Sequence, residues 1–338
     1  MHPKMLKELA EVLAKPLKII LFNTSLNEGV VPDIWKEGNI TALFKKGDKS
    51  DPGNYRPVSL TSVICKIMEK LIREMIVAHM IKNQLFSKKQ FGFISGRSTT
   101  LQLIKVMDKW TEILDNGGKL DAVYMDFMKA FDKVPHKRLI KNMRRYGINQ
   151  IIINWVENFL KNRQQKVIVN GAESTNQNVT SGIPQGSVLG PILFVIYIND
   201  MPECVDSETY LFADDTKIFR EINVQPDVEM LQKDLDELQK WSDTWLLKFH
   251  PNKCKVMTVA TKSEENKMGK YHLYDNNGRE VKLDQSEGEK DIGVLVDENL
   301  TFGKHIQAQV NKANSIMGLI RRTYTYLDEQ SFKYLFRL

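Results

Sequence analysis

The sequence contains few cysteines and no zinc-binding pattern. Only three of its 338 residues are cysteine, namely Cys65, Cys204 and Cys254. None belongs to a CxxC pair or to a His/Cys cluster at zinc spacing, so the sequence offers neither a zinc site nor a dense disulfide framework. We therefore expect reduced thiols in an intracellular protein.

The sequence also lacks a long apolar run and a targeting segment. The longest apolar run, Val188 to Ile198, is interrupted by Gly190 and Pro191 and is too short to span a bilayer. The N-terminus has no apolar signal-peptide core, and no dense block of Lys and Arg indicates nuclear import. We expect a protein without a membrane partner, in the nucleus or the cytoplasm, and the sequence does not indicate its oligomeric state.

The composition is that of a globular protein with a mild positive charge. Hydrophobic residues make up 42% and charged residues 27% of the chain, which is long enough for roughly two or three compact units. A formal charge of +6 suits a polyanionic partner such as nucleic acid, although many proteins without such a partner carry as much.

Helical and strand patterns alternate along the chain. An apolar 3.6-residue rhythm predicts a helix over 5–27, broken or kinked near Pro16. It predicts further helices over 64–85, 101–114 and 151–160 and from 226 and 305 onward. Strands are predicted at 40–44, 120–125, 253–260 and 291–296. With hairpins between them, these elements predict an α+β fold in which helices cover one face of an antiparallel sheet.

Two of the predicted strands end in carboxylates. Asp126 follows the strand 120–125, and Asp214-Asp215 form the tip of a hairpin. Adjacent carboxylates repel each other and a divalent cation would remove the repulsion, but Asp-Asp is also an ordinary turn dipeptide. If the two strands are neighbours, three carboxylates converge at one edge of the sheet. Such oxygen ligands suit Mg²⁺ and phosphoryl transfer by two metals.

Five ordered segments resemble the signature motifs of reverse transcriptases. They are Tyr124 to Asp132 (motif A), Ser181 to Pro191 (motif B), Phe212 to Asp215 (motif C), Asn54 to Leu60 (the first fingers motif), and Gln90 to Phe93 with Gly96 to Ser98 (the second). Over roughly residues 30 to 310 the chain is similar to the non-LTR (LINE-type, jockey-like) retrotransposon branch. The resemblance implies a right-hand polymerase with fingers, palm and a partial thumb.

The resemblance also implies a metal site and its substrates. Asp126, Asp214 and Asp215 would hold two Mg²⁺ ions, with Mn²⁺ as an alternative. One ion would activate the 3′-hydroxyl of a DNA primer, and the other would neutralise the leaving pyrophosphate. The implied partners are an RNA template, the primer and dNTPs.

Three residues are implied to select and contact the incoming nucleotide. Phe131 lies five residues after Asp126, where the family places a ring against the sugar. A ring there leaves no room for a 2′-hydroxyl, and the less favoured alternative is that Phe131 is an ordinary core residue. Gln185 resembles the residue that contacts the incoming nucleotide, and Gly186 beside it permits close backbone approach or serves only the turn.

Three cations are candidates for handling phosphate. Arg56 and Lys66 are candidates for binding the triphosphate of the incoming nucleotide. A guanidinium can hydrogen-bond to two phosphate oxygens at once, and an ammonium supplies a point charge. Lys66 equally fits a solvated helix residue. Lys253 resembles the motif D lysine proposed to protonate the departing pyrophosphate, but a lone Lys in a loop is usually solvated. The segment from Ile292 to Asp297 resembles the one that positions the primer end through its backbone.

The sequence departs from the usual pattern at several positions. Met128 replaces a small polar residue, His250 replaces a commoner Asn, and Asp291-Ile292-Gly293 replaces the more usual Tyr-Leu-Gly. None of these changes removes a metal ligand. We divide the chain into an N-terminal helical extension (1–28), a reverse transcriptase domain of fingers and palm (29–297) and a partial thumb (298–338). We expect the chain to lack the endonuclease of its relatives and its thumb to be incomplete at Leu338.

The expected function is that of an RNA-directed DNA polymerase of a non-LTR retrotransposon. One alternative is a catalytically inactive remnant that binds RNA non-specifically through its basic surface. Another is an RNA-templated RNA polymerase or a DNA-templated polymerase, which the assembly of motifs disfavours.

Overall fold

The structure, a computed structural model, describes residues 3–261, 269–324, 326 and 328–335. Its α-helices are α1 (Pro3–Glu8), α2 (Ala10–Pro16), α3 (Asn23–Glu28), α4 (Val63–Lys82), α5 (Thr99–Asp115), α6 (Ala130–Lys133), α7 (His136–Arg145), α8 (Gln150–Leu160), α9 (Gly190–Ile198), α10 (Gln225–Trp245), α11 (Gly303–Thr323) and α12 (Glu329–Leu335). Its strands are β1 (Glu37–Phe44), β2 (Tyr55–Leu60), β3 (Leu120–Met125), β4 (Arg163–Val169), β5 (Ala172–Glu173), β6 (Gln177–Val179), β7 (Glu208–Phe212), β8 (Asp215–Glu221), β9 (Lys255–Val259), β10 (His272–Tyr274), β11 (Glu280–Lys282), β12 (Asp284–Gln285), β13 (Gly288–Asp291) and β14 (Val294–Asp297).

The N-terminal helical segment changes its winding at Pro16, as predicted. Helix α2 ends at Pro16, and a π-helical turn, Leu17–Phe22, connects it to α3. Proline lacks a backbone N–H and its ring crowds the carbonyl one turn earlier, so a regular α-helix cannot continue through it. Gly29, with φ 65°, ends α3 in the left-handed conformation that glycine adopts without strain.

Two five-stranded sheets organise the rest of the chain. The first has the order β2-β1-β4-β5, with β6 also paired to β4. The second has the order β12-β9-β3-β8-β7, in which β9, β3, β8 and β7 each pair antiparallel with the next strand. Strand β3 therefore lies beside β8, which is the arrangement needed to bring the two carboxylate-bearing strand ends together.

Helices cover both faces of the second sheet. On β3 the side chains alternate, so that Val123 belongs to the large core beneath α9 and α10, while Ala122 belongs to a second core. Trp110 of α5 packs edge-on against Phe219 in that second core, with the ring centroids 5.7 Å apart. The prediction of an antiparallel sheet with helices is confirmed, but the prediction that helices cover only one face was incomplete.

Two predicted strands have different bounds in the structure. The segment 291–296, predicted as one strand, is instead a hairpin in which β13 and β14 meet at Ile292-Gly293. The chain turns there because both residues have positive φ, 44° and 100°. The strand predicted from Lys253 begins only at Lys255, since Pro251–Lys253 form a 3₁₀ turn.

The outer parts of the chain give two further results. Over the described residues, no helix combines the length and the apolar character needed to cross a membrane. The predicted helix near 305 is present as α11, but Leu338, at which the thumb was expected to be incomplete, lies outside the described residues.

Candidate active site

The three predicted carboxylates lie at the same end of the second sheet. Met125, the last residue of β3, pairs with Thr216 of β8, so Asp126 follows directly beside the start of β8. Asp215 is the first residue of β8 and pairs with Phe212 of β7. Asp214 and Ala213 form the two-residue loop between these strands. The left-handed φ of 55° at Ala213 closes this tight turn.

Burial and mutual repulsion raise the pKa values of Asp214 and Asp215. The Asp215 side chain keeps an exposed surface, but partial burial, followed by repulsion from Asp214 and Asp126, raises its pKa to about 6. Burial and repulsion from Asp126 also raise the pKa of Asp214. The excess negative charge is therefore concentrated at one end of the sheet, as a cation-binding centre requires.

The carboxylates suit a divalent metal but do not form a closed cage. Within residues 3–261, 269–324, 326 and 328–335, no three His, Cys, Asp or Glu side chains are close enough together to hold a metal ion as they stand. Mg²⁺ usually takes only one or two carboxylates and keeps waters and substrate phosphates as its other ligands. Asp126 and the Asp214-Asp215 pair supply the oxygen donors for such an open site.

The backbone of Asp126 is held by the chain that follows α10. Its N–H donates to Cys254 Sγ at 3.5 Å, and its carbonyl accepts the N–H of His250 at 2.8 Å. In the same segment Lys253 Nζ lies 3.8 Å from Asp126 Oδ2, so the structure brings the predicted Lys253 to the carboxylate site. Cys254 was not predicted, because its role depends on a backbone contact across the sheet.

Gln90 holds the tip of the Asp214-Asp215 hairpin. Its Oε1 accepts the N–H of Ala213 at 2.9 Å and the N–H of Gly92 at 2.7 Å. A Cβ on Gly92 would lie 2.4 Å from the Ala213 nitrogen, so glycine is required for this close approach. The sequence analysis quoted the Gln-Phe-Gly segment as a motif but did not assign Gln90 a role.

The loop from Ser181 to Gly190 joins the motif A segment to the first sheet. Ile183 N–H donates to the Phe131 carbonyl at 2.7 Å, and Gln185 Nε2 donates to Asp132 Oδ1 at 2.9 Å. Gly186, with φ 102°, passes so close to β2 that a Cβ would lie 2.7 Å from the Ser59 carbonyl oxygen. This loop thus brings together three predicted site residues, Phe131, Gln185 and Gly186.

The Phe131 side chain is half-buried. Its ring stacks on Phe194 of α9, with centroids 4.5 Å apart and an interplanar angle of 21°. The stack fixes the ring orientation through packing rather than through a polar contact.

Two exposed cations act on the carboxylate site. Arg56 on β2 and Lys45, just after β1, both lower the pKa of Asp214 against the larger effect of its burial. Arg56 was predicted and Lys45 was not, although Lys45 lies in the same loop-and-strand unit. Lys66 lies half-buried in the first turn of α4, and over the described residues it is not among the cations found to act on Asp214.

The family is decided by a match over most of the chain. The sequence profile described as "Reverse transcriptase (RNA-dependent DNA polymerase)" matches residues 44–335. The chain belongs to the reverse transcriptase family. The identification of the family from motifs A, B and C is therefore confirmed. Members of this family generally use divalent metal ions.

Several relatives of this reverse transcriptase come from Drosophila melanogaster. The chain is 32% identical to the RNA-directed DNA polymerase from mobile element jockey over 85% of its length, 30% identical to the probable enzyme from transposon X-element over 88%, and 29% identical to that from transposon BS over 92%. It covers 32%, 33% and 35% of these proteins, respectively. The chain therefore spans about a third of the length of the curated relatives that it matches.

A solved structure shares the fold of this reverse transcriptase. It is an apo telomerase from Candida tropicalis truncated from its C-terminal domain, with a TM-score of 0.53 at 12% identity. The similarity covers 81% of this chain and 55% of the telomerase chain. The predicted right-hand polymerase fold is thereby confirmed.

Proposed function

We propose that the chain is the polymerase part of a non-LTR retrotransposon reverse transcriptase and extends a DNA primer on an RNA template. The observation that carries the proposal is the convergence of Asp126 with Asp214-Asp215 at one end of the second sheet. In a chain matched to the family over 44–335, this is the arrangement that nucleotidyl transfer requires.

Asp126, Asp214 and Asp215 are proposed to hold two Mg²⁺ ions, with Mn²⁺ as an alternative. When bound, the ions would supply activation of the 3′-hydroxyl and neutralisation of the pyrophosphate. Arg56 attracts the triphosphate to the exposed mouth of the site, and the newly found Lys45 adds charge there. Lys66 stays a proposed phosphate ligand without this support.

Lys253 is proposed to donate a proton to the departing pyrophosphate. The Lys253 side chain is 58% exposed and its Nζ lies 3.8 Å from Asp126 Oδ2, so it is accessible to substrate and close to a proposed metal ligand. Phe131 is proposed to exclude ribonucleotides. Gln185 and Gly186 are proposed to contact the incoming nucleotide and its template base.

The division of the chain and its location are proposals as well. We assign residues 1–28 to a helical extension, 29–297 to fingers and palm, and 298–338 to a partial thumb. The three cysteines are free, which agrees with a reducing location in the nucleus or the cytoplasm.

Primer extension tests the proposed function. The purified chain should extend oligo-dT on poly-rA in Mg²⁺, and Asp214→Asn should abolish extension while RNA binding is retained. Asp284→Asn is the matched control, because Asp284 is an exposed palm-edge carboxylate with 68% of its side chain accessible. RNA binding without any extension by the unmodified chain would identify an inactive remnant instead.

A further inference from the structure

A buried ion pair lies next to the carboxylate site. Lys217, two residues after Asp215 on β8, donates to Asp291 at the end of β13, and each side chain is only 3% exposed. The Lys217 ammonium also lies 6.0 Å from the centre of the Tyr124 ring on β3. The ion pair is thus enclosed between the second sheet and the hairpin of β13 and β14.

The pair connects this hairpin to the strand that carries Asp215. Next to the hairpin, the chain is hydrogen-bonded to β9, where Ser286 N–H donates to the Val256 carbonyl at 2.8 Å. Because β3 separates β9 from β8, Asp291 reaches across a whole strand to meet Lys217. Asp291 directly precedes the turn at Ile292-Gly293, so the pair holds the tip of the hairpin.

The turn faces the reacting groups. A cleft of about 180 Å³ is lined by Asp126, Asp215, Lys217, Asp291 and Ile292, among others. The anchored turn and the carboxylates therefore border the same space. Any group held by the backbone of the turn would be presented to the carboxylates.

The pair combines a buried carboxylate with a buried cation. The Asp291 carboxylate, buried at this position without a cation, would be strongly unfavourable. Lys217 supplies that cation. Because each buried charge needs the other, the pair joins the hairpin of β13 and β14 to β8.

We propose that the Lys217–Asp291 pair positions the primer 3′ end, by fixing the hairpin turn at Ile292-Gly293 against the strand that carries Asp215. The inference rests on the proposed function and deepens it. Lys217 and Asp291 act through the turn and are positioning residues, not catalytic ones. Removing either charge leaves its partner buried and unpaired, which releases the hairpin; removing both leaves apolar packing that still holds it.

Kinetics of four variants test the positioning role. We expect Lys217→Met and Asp291→Asn to lower the single-turnover extension rate per active site, since a displacement of about 1 Å can cost about 100-fold. The KM for dTTP should stay unchanged, and the double variant Lys217→Met/Asp291→Leu should recover most of the rate. Asp284→Asn, which breaks the exposed Lys255–Asp284 pair at the palm edge, should match the unmodified chain. Full rates in both single variants, or a loss only in the fraction of active protein, would overturn the proposal.

Crosslinking tests the same proposal without catalysis. Oligo-dT ending in 3′-terminal 4-thiothymidine, annealed to poly-rA, should crosslink on irradiation to residues 288–297 of the unmodified chain. Both single variants should lose this crosslink and gain hydrogen exchange in 288–297, and the double variant should restore both. If the unmodified chain crosslinks at this hairpin but extends no primer, the proposed function fails while the positioning inference stands. A crosslink elsewhere, or unchanged exchange in the single variants, overturns the inference.

Discussion

Glu69 Oε2 lies 2.7 Å from the backbone nitrogen of Val188 and accepts its N–H. The same oxygen accepts the N–H of Leu189 at 3.0 Å, directly before α9 begins. Glu69 itself is fully buried on α4. The carboxylate therefore satisfies two N–H groups at a helix start that would otherwise be buried without partners, and it joins α4 to the loop that carries Gln185.

Removal of this carboxylate should destabilise the protein. Glu69→Ala leaves the Val188 and Leu189 N–H groups unsatisfied, which we expect to cost about 2–4 kcal/mol in the free energy of unfolding. Glu69→Gln keeps one acceptor and should cost less. Glu74→Ala, an exposed change on the same helix, is the control. Urea titration measures all three, and equal losses for Glu69→Ala and Glu74→Ala would contradict the bridging role.

The raised pKa of Asp215 should make stability depend on pH. Its ordinary value is 3.8 and its folded value is about 6, so between these values the folded state binds more protons than the unfolded state. The Asp215 contribution is therefore most favourable below about pH 4 and is lost as the pH rises through 6. In metal-free buffer, Asp215→Asn should stabilise the chain increasingly over this range. Thermal melts from pH 4 to 7 measure the difference, and a constant difference would contradict the raised pKa of Asp215.

Gln90 should stabilise the protein and support primer extension by holding the turn at Ala213. Gln90→Leu removes the acceptor for two buried N–H groups and should lower the free energy of unfolding by about 2–4 kcal/mol. Gly92→Ala should displace the same turn by contact alone, since its Cβ would meet the Ala213 nitrogen. Both variants should reduce primer extension. Lys88→Ala, a nearby change of an exposed residue, serves as the control. Normal primer extension by Gln90→Leu would show that the turn keeps its conformation without the Gln90 hydrogen bonds.

Local pattern was enough to predict the strand ends that carry the carboxylates. The strand 120–125 and the hairpin at 212–215 are encoded by neighbouring residues, so Asp126 and Asp214-Asp215 could be located before the fold was known. Their meeting depended on β3 lying beside β8, which the motif resemblance implied and alternation alone did not.

The supporting residues could not be predicted in the same way. Gln90 and Ala213 are 123 positions apart, and Glu69 and Val188 are 119 apart. Nothing in the local sequence around Gln90 or Glu69 specifies such a distant backbone partner. The turn at Ile292 was missed for a different reason, because a β-branched residue with positive φ contradicts its own propensity.

Phe131 should control the choice between deoxyribonucleotides and ribonucleotides. Phe131→Val opens the space beside the sugar, and we expect the ratio of rGTP to dGTP incorporation on poly-rC to rise by about 10–100-fold. The measured quantity is the ratio of the two kcat/KM values. A ratio changes only if the residue distinguishes the two substrates.

Loss of packing must be separated from loss of selection at Phe131. The ring stacks on Phe194, so Phe131→Val also removes aromatic contact and should lower stability by about 1–2 kcal/mol. Phe194→Leu removes the same stack from the buried side and leaves the Phe131 ring in place. If stacking alone were responsible, both variants would alter the ribonucleotide ratio equally. We expect Phe194→Leu to reduce stability with the ratio nearly unchanged, because the excluded 2′-hydroxyl meets the ring of Phe131 and not the residue behind it.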